Sequence, residues 1–176
     1  MNAIIFHGSS PHSTVQSFWY QNVANELNLL NIETVIPQLS RLDQDPLSET
    51  LGQIKKMNLT INEDTILIGH SAGTNIIFSV LEDLATPVKA VFLVAGYCTP
   101  NGMQHTTLRE NYDWQTIKSH VQDFYMLNSF NDPFNCNEKQ GKLLFDKLGG
   151  TLILKNEGHF IKKEQPLLMA LLKQYT

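Results

Sequence analysis

The sequence predicts a three-layer α/β fold around a mainly parallel six-stranded sheet with the strand order 2-1-3-4-5-6. Two observations predict this fold: short runs that are apolar on both faces, and longer amphipathic stretches that separate them. Strands that alternate with helices are joined by right-handed crossovers, which place helices on both faces of the sheet. The 176 residues contain no internal repeat or linker, so we expect one domain spanning residues 1–176.

Six short apolar runs predict the strands, and Pro37 ends the second of them because proline cannot donate to a sheet. The predicted strands are Ala3–Phe6, Glu33–Ile36, Thr65–Ile68, Ala90–Ala95, Phe124–Leu127 and Thr151–Leu154.

Apolar side chains recurring near the helical period predict the helices between these strands. The predicted helices are Val15–Leu30, Pro46–Met57, Ala72–Leu84, Trp114–His120, Asn137–Leu148 and Gln165–Tyr175. A polar segment, Thr99–Asp113, interrupts the alternation. Long loops of this kind are typical of lids and binding loops, and otherwise of mobile surface.

Composition narrows the function classes. Hydrophobic residues make up 42% and charged residues 17%, which is typical of a globular chain. The net charge is −4 and the 13 basic residues are scattered, so we expect neither nucleic acid nor a membrane surface as a partner. Cys98 and Cys136 form no metal-binding or disulfide pattern, which favours a reducing compartment. Residues 1–8 lack the features of a signal peptide, and we expect a cytoplasmic protein.

The segment Gly69–Gly73, with the sequence Gly-His-Ser-Ala-Gly, carries the strongest chemical signal. It follows a predicted strand and opens a predicted helix, which is the context of a nucleophile elbow with Ser71 as the nucleophile. The glycines allow a tight turn between strand and helix. No Lys-Ser/Thr pair follows and no G-x-G-x-x-G is present, so a phosphate-binding loop is excluded.

A serine nucleophile needs a base, and the base needs an acid that orients it. Among the six histidines we favour His159 as the base, because it follows the last strand; His70 is interpreted as structural because it neighbours Ser71 on a turn. For the acid we favour Asp132, which follows the fifth strand and precedes Pro133. Asp113 and Asp123 are the alternatives, and a helix-capping role is the alternative for Asp132 itself.

The oxyanion hole should consist of two backbone N–H groups. One is predicted to be that of Ala72, which follows the nucleophile. The other should come from the loop after strand one, where we favour the N–H of Ser9 beside Gly8. Strands one and three are neighbours at the point where the strand order reverses, so this loop and the elbow should meet there. His7, in the same loop, is interpreted as a packed histidine.

Taken together, these motifs resemble a known family. His7-Gly8, the elbow, Asp132-Pro133-Phe134 and Gly158-His159-Phe160 are similar to the small serine hydrolases of the α/β-hydrolase superfamily related to retinoblastoma-binding protein 9 and the YdeN-type bacterial proteins. The resemblance runs nearly end to end. It implies Ser71 as nucleophile, Asp132 as acid, His159 as base, and a minimal fold without a large cap.

We therefore expect a serine hydrolase that cleaves small carboxylic esters without a metal or cofactor, as a monomer or weak homodimer. Its shallow groove is predicted to be lined by Phe130, Phe134, Phe160 and Trp114, with Tyr97 as a further candidate. A thioesterase or amidase would use the same three residues. The alternative from another class is a non-enzymatic protein-interaction module, for which the segment Phe134–Glu138 loosely resembles a Leu-x-Cys-x-Glu motif.

Overall fold

A computed structural model describes residues 1–10, 13–103 and 105–176, so His12, one of the six histidines, lies outside the described residues. Six strands form one sheet in the order β2-β1-β3-β4-β5-β6, with every neighbouring pair parallel. The predicted fold class and strand order are confirmed, with no large cap over the sheet in the described part of the chain.

The strands and helices alternate along the chain. The strands are β1 (Asn2–Phe6), β2 (Glu33–Val35), β3 (Thr65–His70), β4 (Val88–Val94), β5 (Val121–Ser129) and β6 (Thr151–Lys155). The helices are α1 (Tyr20–Leu29), α2 (Leu47–Lys56), α3 (Ala72–Glu82), α4 (Trp114–Ser119), α5 (Glu138–Leu148) and α6 (Pro166–Leu172), followed by a 3₁₀ turn at Lys173–Tyr175.

Two apolar clusters fill the space on the two faces of the sheet. In β1, Ile5 faces the cluster that contains Leu27 of α1 and Leu168 of α6. Its neighbour Ile4 points to the other face and joins the cluster that is formed with α2, α3, α4 and α5. Because successive strand residues alternate in direction, a strand covered on both faces must be apolar throughout. This is why β1, β3 and β4 read as continuous apolar runs.

The first helix begins later than predicted, at Tyr20 and not at Val15. Thr14 and Ser17 form a local turn in which the Ser17 Oγ accepts the Thr14 N–H at 2.9 Å. Phe18 has a φ of 54°, which a continuing right-handed helix does not allow. The helical spacing of the apolar residues therefore extended the prediction over a loop. The other predicted elements differ from the observed ones by a few residues at their ends.

The carboxyl ends of the strands bring the predicted site residues to one edge of the sheet. β1 ends just before His7, β3 ends just before Ser71, and Asp132 and His159 follow β5 and β6. Ligand sites of parallel α/β sheets lie at this edge. Among the described residues, no helix is long and apolar enough to cross a membrane.

Candidate active site

Ser71 occupies a strained turn between β3 and α3. Its φ of 53° and ψ of −119° are costly for a residue with a side chain. The Ser71 N–H donates to the Val94 carbonyl at 2.9 Å, which ties the turn to the neighbouring strand, and the residue is half-buried. A serine presented on a strained strand-to-helix turn is the geometry of a nucleophile elbow.

Two glycines allow the elbow to pack closely on its neighbours. A Cβ on Gly73 would lie 2.1 Å from the carbonyl oxygen of Phe6, and a Cβ on Gly69 would lie 2.8 Å from Ile77 Cδ1. Real side chains do not approach backbone this closely, so any other residue at position 73 would push α3 away from β1. The first turn of α3 is thus fixed against the end of β1.

Asp132 and His159 form a buried hydrogen-bonded pair. The Nδ1 of His159 donates to Asp132 Oδ2 at 2.7 Å, and the two residues are only 8% and 6% exposed. The other carboxylate oxygen accepts the Phe134 N–H at 2.8 Å, which fixes the orientation of the acid. With its proton on Nδ1, His159 has a free lone pair on Nε2. An acid–base pair in a hydrolase requires this arrangement.

The other carboxylates considered from the sequence have different contacts. Asp113 caps α4 by accepting the Thr116 N–H at 3.0 Å. Asp123 accepts a hydrogen bond from the Tyr175 hydroxyl. The N-cap of α5 is Asn137, so the helix-capping alternative for Asp132 is wrong.

His70 connects the elbow to the loop of His159. Its Nε2 lies 2.8 Å from the His159 carbonyl oxygen, and the two imidazole rings are 4.9 Å apart between centroids. Among the described residues, Ser71 Oγ has no hydrogen bond to His159. Bonds between nucleophile and base are often long in unliganded sites and shorten when substrate binds.

The loop after β1 lies directly beside Ser71. A Cβ built on Gly8 would be 3.4 Å from Ser71 Cβ. The Gly8 N–H already donates to the Tyr20 hydroxyl at 3.0 Å, so Ser9 supplies the next N–H along this loop. Ala72 is the first residue of α3, where N–H groups lack helical partners. Ser9 and Ala72, the predicted oxyanion donors, directly follow Gly8 and Ser71, the two residues that lie close together. Their role in an oxyanion hole stays a prediction.

His7 has a structural role. Its Nδ1 donates to the Gly8 carbonyl at 2.8 Å, and its Nε2 accepts the Leu39 N–H at 3.1 Å. Burial lowers the pKa of His7, more than its bond to Gly8 raises it. This neutral histidine therefore holds the loop after β1 against the segment after β2.

The predicted pocket residues divide into two groups. Phe134 packs edge-on against the His159 ring, 4.8 Å away between centroids, and Phe130 is more than half exposed. Phe160 is 1% exposed and belongs to the core cluster on the α1 face, and the cavity that it borders is lined by Lys155, Glu157 and Lys162 and not by Ser71. Trp114 packs on Phe78, seven residues along α3 from Ser71 and thus about 10 Å away. Phe160 and Trp114 are therefore corrections to the predicted pocket.

Two aromatic residues near Ser71 were not predicted. Phe18 is half-buried, and its ring lies 5.8 Å from those of both Tyr20 and His70. Tyr20 is fully buried, and its hydroxyl lies 2.6 Å from His70 Nδ1. Both residues fall within the predicted first helix, where an aromatic residue is expected in the core. The sequence carries no signal that separates them from ordinary helix residues.

The polar loop between β4 and α4 is tethered along its described residues, 99–103 and 105–113. Asn101 Nδ2 donates to the Phe134 carbonyl at 2.9 Å, and Thr106 Oγ1 donates to the Leu42 carbonyl at 2.6 Å. Arg109 forms an ion pair with Glu82 of α3. Tyr97 is buried beneath the loop beside His105, and burial raises its pKa to about 12.

Among residues 1–10, 13–103 and 105–176, one group has the side chains to hold a metal ion. Asp132, Cys136 and His159 each offer one ligand atom, and these atoms lie within 4.8 Å of one another. Two of them are already paired in the Asp132–His159 bond. Burial, followed by the nearby Asp132 charge, raises the pKa of the Cys136 thiol, and burial raises that of Cys98 to about 11. Both thiols are therefore neutral and poor ligands at physiological pH.

A family model described as serine hydrolase matches residues 4–166. The chain belongs to the serine hydrolase family. This hydrolase resembles the ydeN gene product from B. subtilis, with a TM-score of 0.90 at 20% identity over 99% of this chain and 97% of that chain. This structural similarity confirms the predicted resemblance to YdeN-type proteins.

Two more distant structures share the fold of this serine hydrolase. A serine hydrolase from Cycloclasticus zankles aligns with a TM-score of 0.70 at 14% identity, over 99% of this chain and 89% of that chain. A methylesterase from Arabidopsis aligns with a TM-score of 0.67 at 11% identity, over 99% and 98%. No curated protein matches the sequence.

Proposed function

We propose that this serine hydrolase cleaves small carboxylic esters through an acyl-serine intermediate, with Ser71 as nucleophile, His159 as base and Asp132 as acid. The observation that carries the proposal is the buried 2.7 Å bond between Asp132 and His159, at the same sheet edge as a strained serine. A buried carboxylate that accepts the Nδ1 hydrogen of a histidine ring leaves the Nε2 atom of that ring able to take a proton from a hydroxyl.

In the first half of the reaction, Ser71 Oγ attacks the ester carbonyl carbon while its proton passes to His159 Nε2. The backbone N–H groups of Ala72 and Ser9 stabilise the negative charge on the carbonyl oxygen. The bond between carbon and the alcohol oxygen then breaks, and His159 gives its proton to the departing alcohol. Asp132 stabilises the imidazolium and keeps the ring in the correct tautomer.

In the second half, water replaces the alcohol. His159 takes a proton from the water, whose oxygen attacks the acyl carbon of the Ser71 ester. The tetrahedral intermediate collapses, the carboxylic acid leaves, and Ser71 recovers its proton from His159. No step requires a metal or a cofactor.

The surroundings of the triad favour small substrates. The described residues place no large cap over the sheet edge, and Phe134 presents an apolar ring beside His159. A small acyl group can contact this ring without deep burial. The likeness to a structure named a methylesterase supports an ester as the substrate class. Thioesters and amides are the alternatives that the same three residues could cleave.

The test is covalent labelling with a fluorophosphonate, followed by peptide mass spectrometry and turnover of short-chain esters, thioesters and amides. We expect one adduct, on Ser71, and ester turnover that both disappear in Ser71→Ala. Ser79→Ala is the matched control, because Ser79 lies on the same helix and bonds only the Asn75 carbonyl. A folded protein without an adduct on Ser71 would contradict the proposal. Thioester turnover far above ester turnover would change the proposed substrate class from esters to thioesters.

The protein-interaction alternative is less well supported. A recognition motif has to be accessible to its partner, but Cys136 in the segment Phe134–Glu138 is only 2% exposed. Asn137 of this segment caps α5. We therefore keep a small-molecule ester as the partner, with a monomer or weak homodimer as the state of the chain. The cytoplasmic location, like the absence of nucleic-acid and membrane partners, stays a prediction.

A further inference from the structure

A chain of buried hydrogen bonds joins the loop after β1 to the loop that carries His159. The Gly8 N–H donates to the Tyr20 hydroxyl at 3.0 Å, and this hydroxyl lies 2.6 Å from His70 Nδ1. His70 Nε2 lies 2.8 Å from the His159 carbonyl oxygen. Tyr20 and His70 are at most 1% exposed. The two ends of this chain are the two loops that must meet at Ser71.

The direction of every bond in this chain is determined by its end groups. The His159 carbonyl can only accept, so the proton of His70 is on Nε2 and its Nδ1 is an acceptor. The Gly8 N–H can only donate, so the Tyr20 hydroxyl accepts from it and gives its single hydrogen to His70. These bond directions require a neutral His70, because a protonated His70 would donate from both ring nitrogens. Burial, followed by the neighbouring His159, lowers the pKa of His70 to about 3, so it is neutral at working pH.

At one end, the chain holds the peptide unit between His7 and Gly8, which adjoins the peptide unit that carries the Ser9 N–H. Tyr20 holds the N–H of Gly8, while His7 Nδ1 holds the Gly8 carbonyl at 2.8 Å. A peptide unit is planar and trans, so a fixed carbonyl also fixes the direction of the N–H that follows. That N–H belongs to Ser9, the predicted oxyanion donor.

At the other end, the chain fixes the main chain of the base. His159 is held through its side chain by Asp132 and through its carbonyl by His70. Phe160, the next residue, has a φ of 53°, a conformation that needs such support. Two fixed points on one residue determine where the Nε2 atom lies.

We propose that Tyr20 and His70 are positioning residues that set the distance between the oxyanion loop and the base loop across Ser71. The proposal rests on the proposed function and deepens it. Neither side chain has to touch the substrate, because Tyr20 acts through the backbone of Gly8, next to Ser9, and His70 acts through the backbone of His159. Misplacement of a reacting group by about 1 Å can cost about 100-fold in rate, so loss of this link should appear in kcat.

Tyr112 provides a matched comparison for Tyr20. Its hydroxyl also accepts a backbone N–H, that of Arg109, at 3.1 Å, and donates to a side chain, Asn75 Oδ1, at 3.1 Å. Neither partner is a residue of the proposed triad or oxyanion hole. Tyr112→Phe therefore removes the same kind of bonds as Tyr20→Phe without breaking the link between the two loops.

The experiment compares kcat, KM, fluorophosphonate labelling rate and melting temperature in the two variants. We expect Tyr20→Phe to lower kcat and the labelling rate by about 10- to 100-fold with KM nearly unchanged, and Tyr112→Phe to leave kcat and labelling unchanged. Both variants should lose thermal stability. Equal kcat in Tyr20→Phe and Tyr112→Phe would overturn the positioning role.

Substitutions of His70 test the link independently of Tyr20. The amide nitrogen of Gln reaches the place of Nε2, whereas the shorter Asn reaches only that of Nδ1. We expect His70→Gln to retain more kcat than His70→Asn, because only Gln keeps the bond to the His159 carbonyl. The same kcat in both variants would count against the proposal, including when Tyr20→Phe fails to fold.

The parent protein separates failure of this inference from failure of the proposed function. A parent that shows neither an adduct on Ser71 nor ester turnover overturns the proposed function, and the positioning role with it. A parent that is active, but whose kcat is insensitive to the Tyr20 and His70 substitutions, overturns the positioning role alone.

Discussion

The two halves of the proposed site are built by different means. The acid–base half, Asp132 and His159, is held by short turns whose side chains bond to nearby backbone. Asn131, for example, accepts the Gly158 N–H at 2.9 Å through its side-chain oxygen. The nucleophile half, the segment around Ser71, is held by close contact between α3 and the end of β1.

This difference predicts whether a substitution in each half should mainly affect catalysis or folding. Turns at the protein surface can adjust when one bond is lost, so changes in the acid–base half should affect catalysis more than folding. A backbone packed directly on backbone cannot adjust, so changes in the nucleophile half should affect folding first. The following variants test this contrast.

The largest effect is expected when the acid is neutralised. Asp132→Asn keeps the size of the side chain but no longer favours the proton on His159 Nδ1, so kcat should fall by about 10⁴-fold. The melting temperature should change little. Steady-state ester hydrolysis and a thermal melt measure the two quantities. Asp113→Asn, which alters only a helix cap, is the control and should keep full kcat. Full activity of Asp132→Asn would transfer the role of acid to another carboxylate.

Two glycine variants compare the halves directly in stability. Gly73→Ala places a Cβ against Phe6 backbone, so we expect it to destabilise the fold by about 4 kcal/mol or more. Gly158→Ala meets no atom within 4 Å but has a φ of 58°, so its cost should be about 1–2 kcal/mol. Urea denaturation gives both free energies of unfolding. Similar costs for the two variants would contradict the contrast between the halves.

The buried His70 makes the nucleophile half sensitive to acid. Its pKa of about 3 lies below the value of 6.5 in the unfolded chain, so between these values only the unfolded chain binds the proton. Stability is therefore lost as pH falls from 6.5 towards 3, by up to about 1.4 kcal/mol per pH unit from this residue. The lowered pKa values of His7 and His105 act in the same direction.

Urea denaturation at several pH values measures this slope. His70→Gln removes one titrating group, so its stability should depend less steeply on pH than that of the parent, although it starts from a lower value at pH 7. Parallel pH dependence in both proteins would show that His70 is not the buried group responsible.

The smallest effect is expected from Asn131→Ala in the acid–base half. It removes the acceptor for the Ser129 hydroxyl and for the Gly158 N–H next to His159, and the bond to Gly158 is worth about 1 kcal/mol. We expect kcat to fall by about fivefold with little change in the melting temperature. Asn135→Ala is the control for general loosening, because it removes the bond from the same turn to the Asn101 carbonyl and places Ala at a φ of 58°. A drop in kcat of the same size in Asn135→Ala would argue against a local effect on His159.

The sequence predicts the acid–base half of the proposed site because its signals are local. Asp132 is followed at once by Pro133 and His159 is preceded by Gly158, and each pair lies just beyond a strand. The parallel sheet and its strand order could also be predicted from the sequence. Strands that are apolar on both faces have to be covered by helices on both sides, which few sheet topologies allow. These features depend on the chemistry of residues a few positions apart.

The partners of the nucleophile half could not be read in this way. Tyr20 and His70 are 50 residues apart, and His70 and His159 are 89 apart. Such bonds arise from packing and leave no spacing in the sequence. The prediction for Trp114 fails for a related reason, because nothing in its local sequence indicates that its ring packs against Phe78 of α3.

The tethered loop between β4 and α4 has a consequence for the cost of binding. Ordering a free loop costs about 1–2 kcal/mol of conformational entropy per residue, which substrate contacts would have to offset. Here Asn101, Thr106 and Arg109 already hold the loop through bonds to other segments. A substrate that contacts this loop would therefore spend little of its binding free energy on ordering it. We therefore expect no closing motion of this loop to limit the proposed turnover.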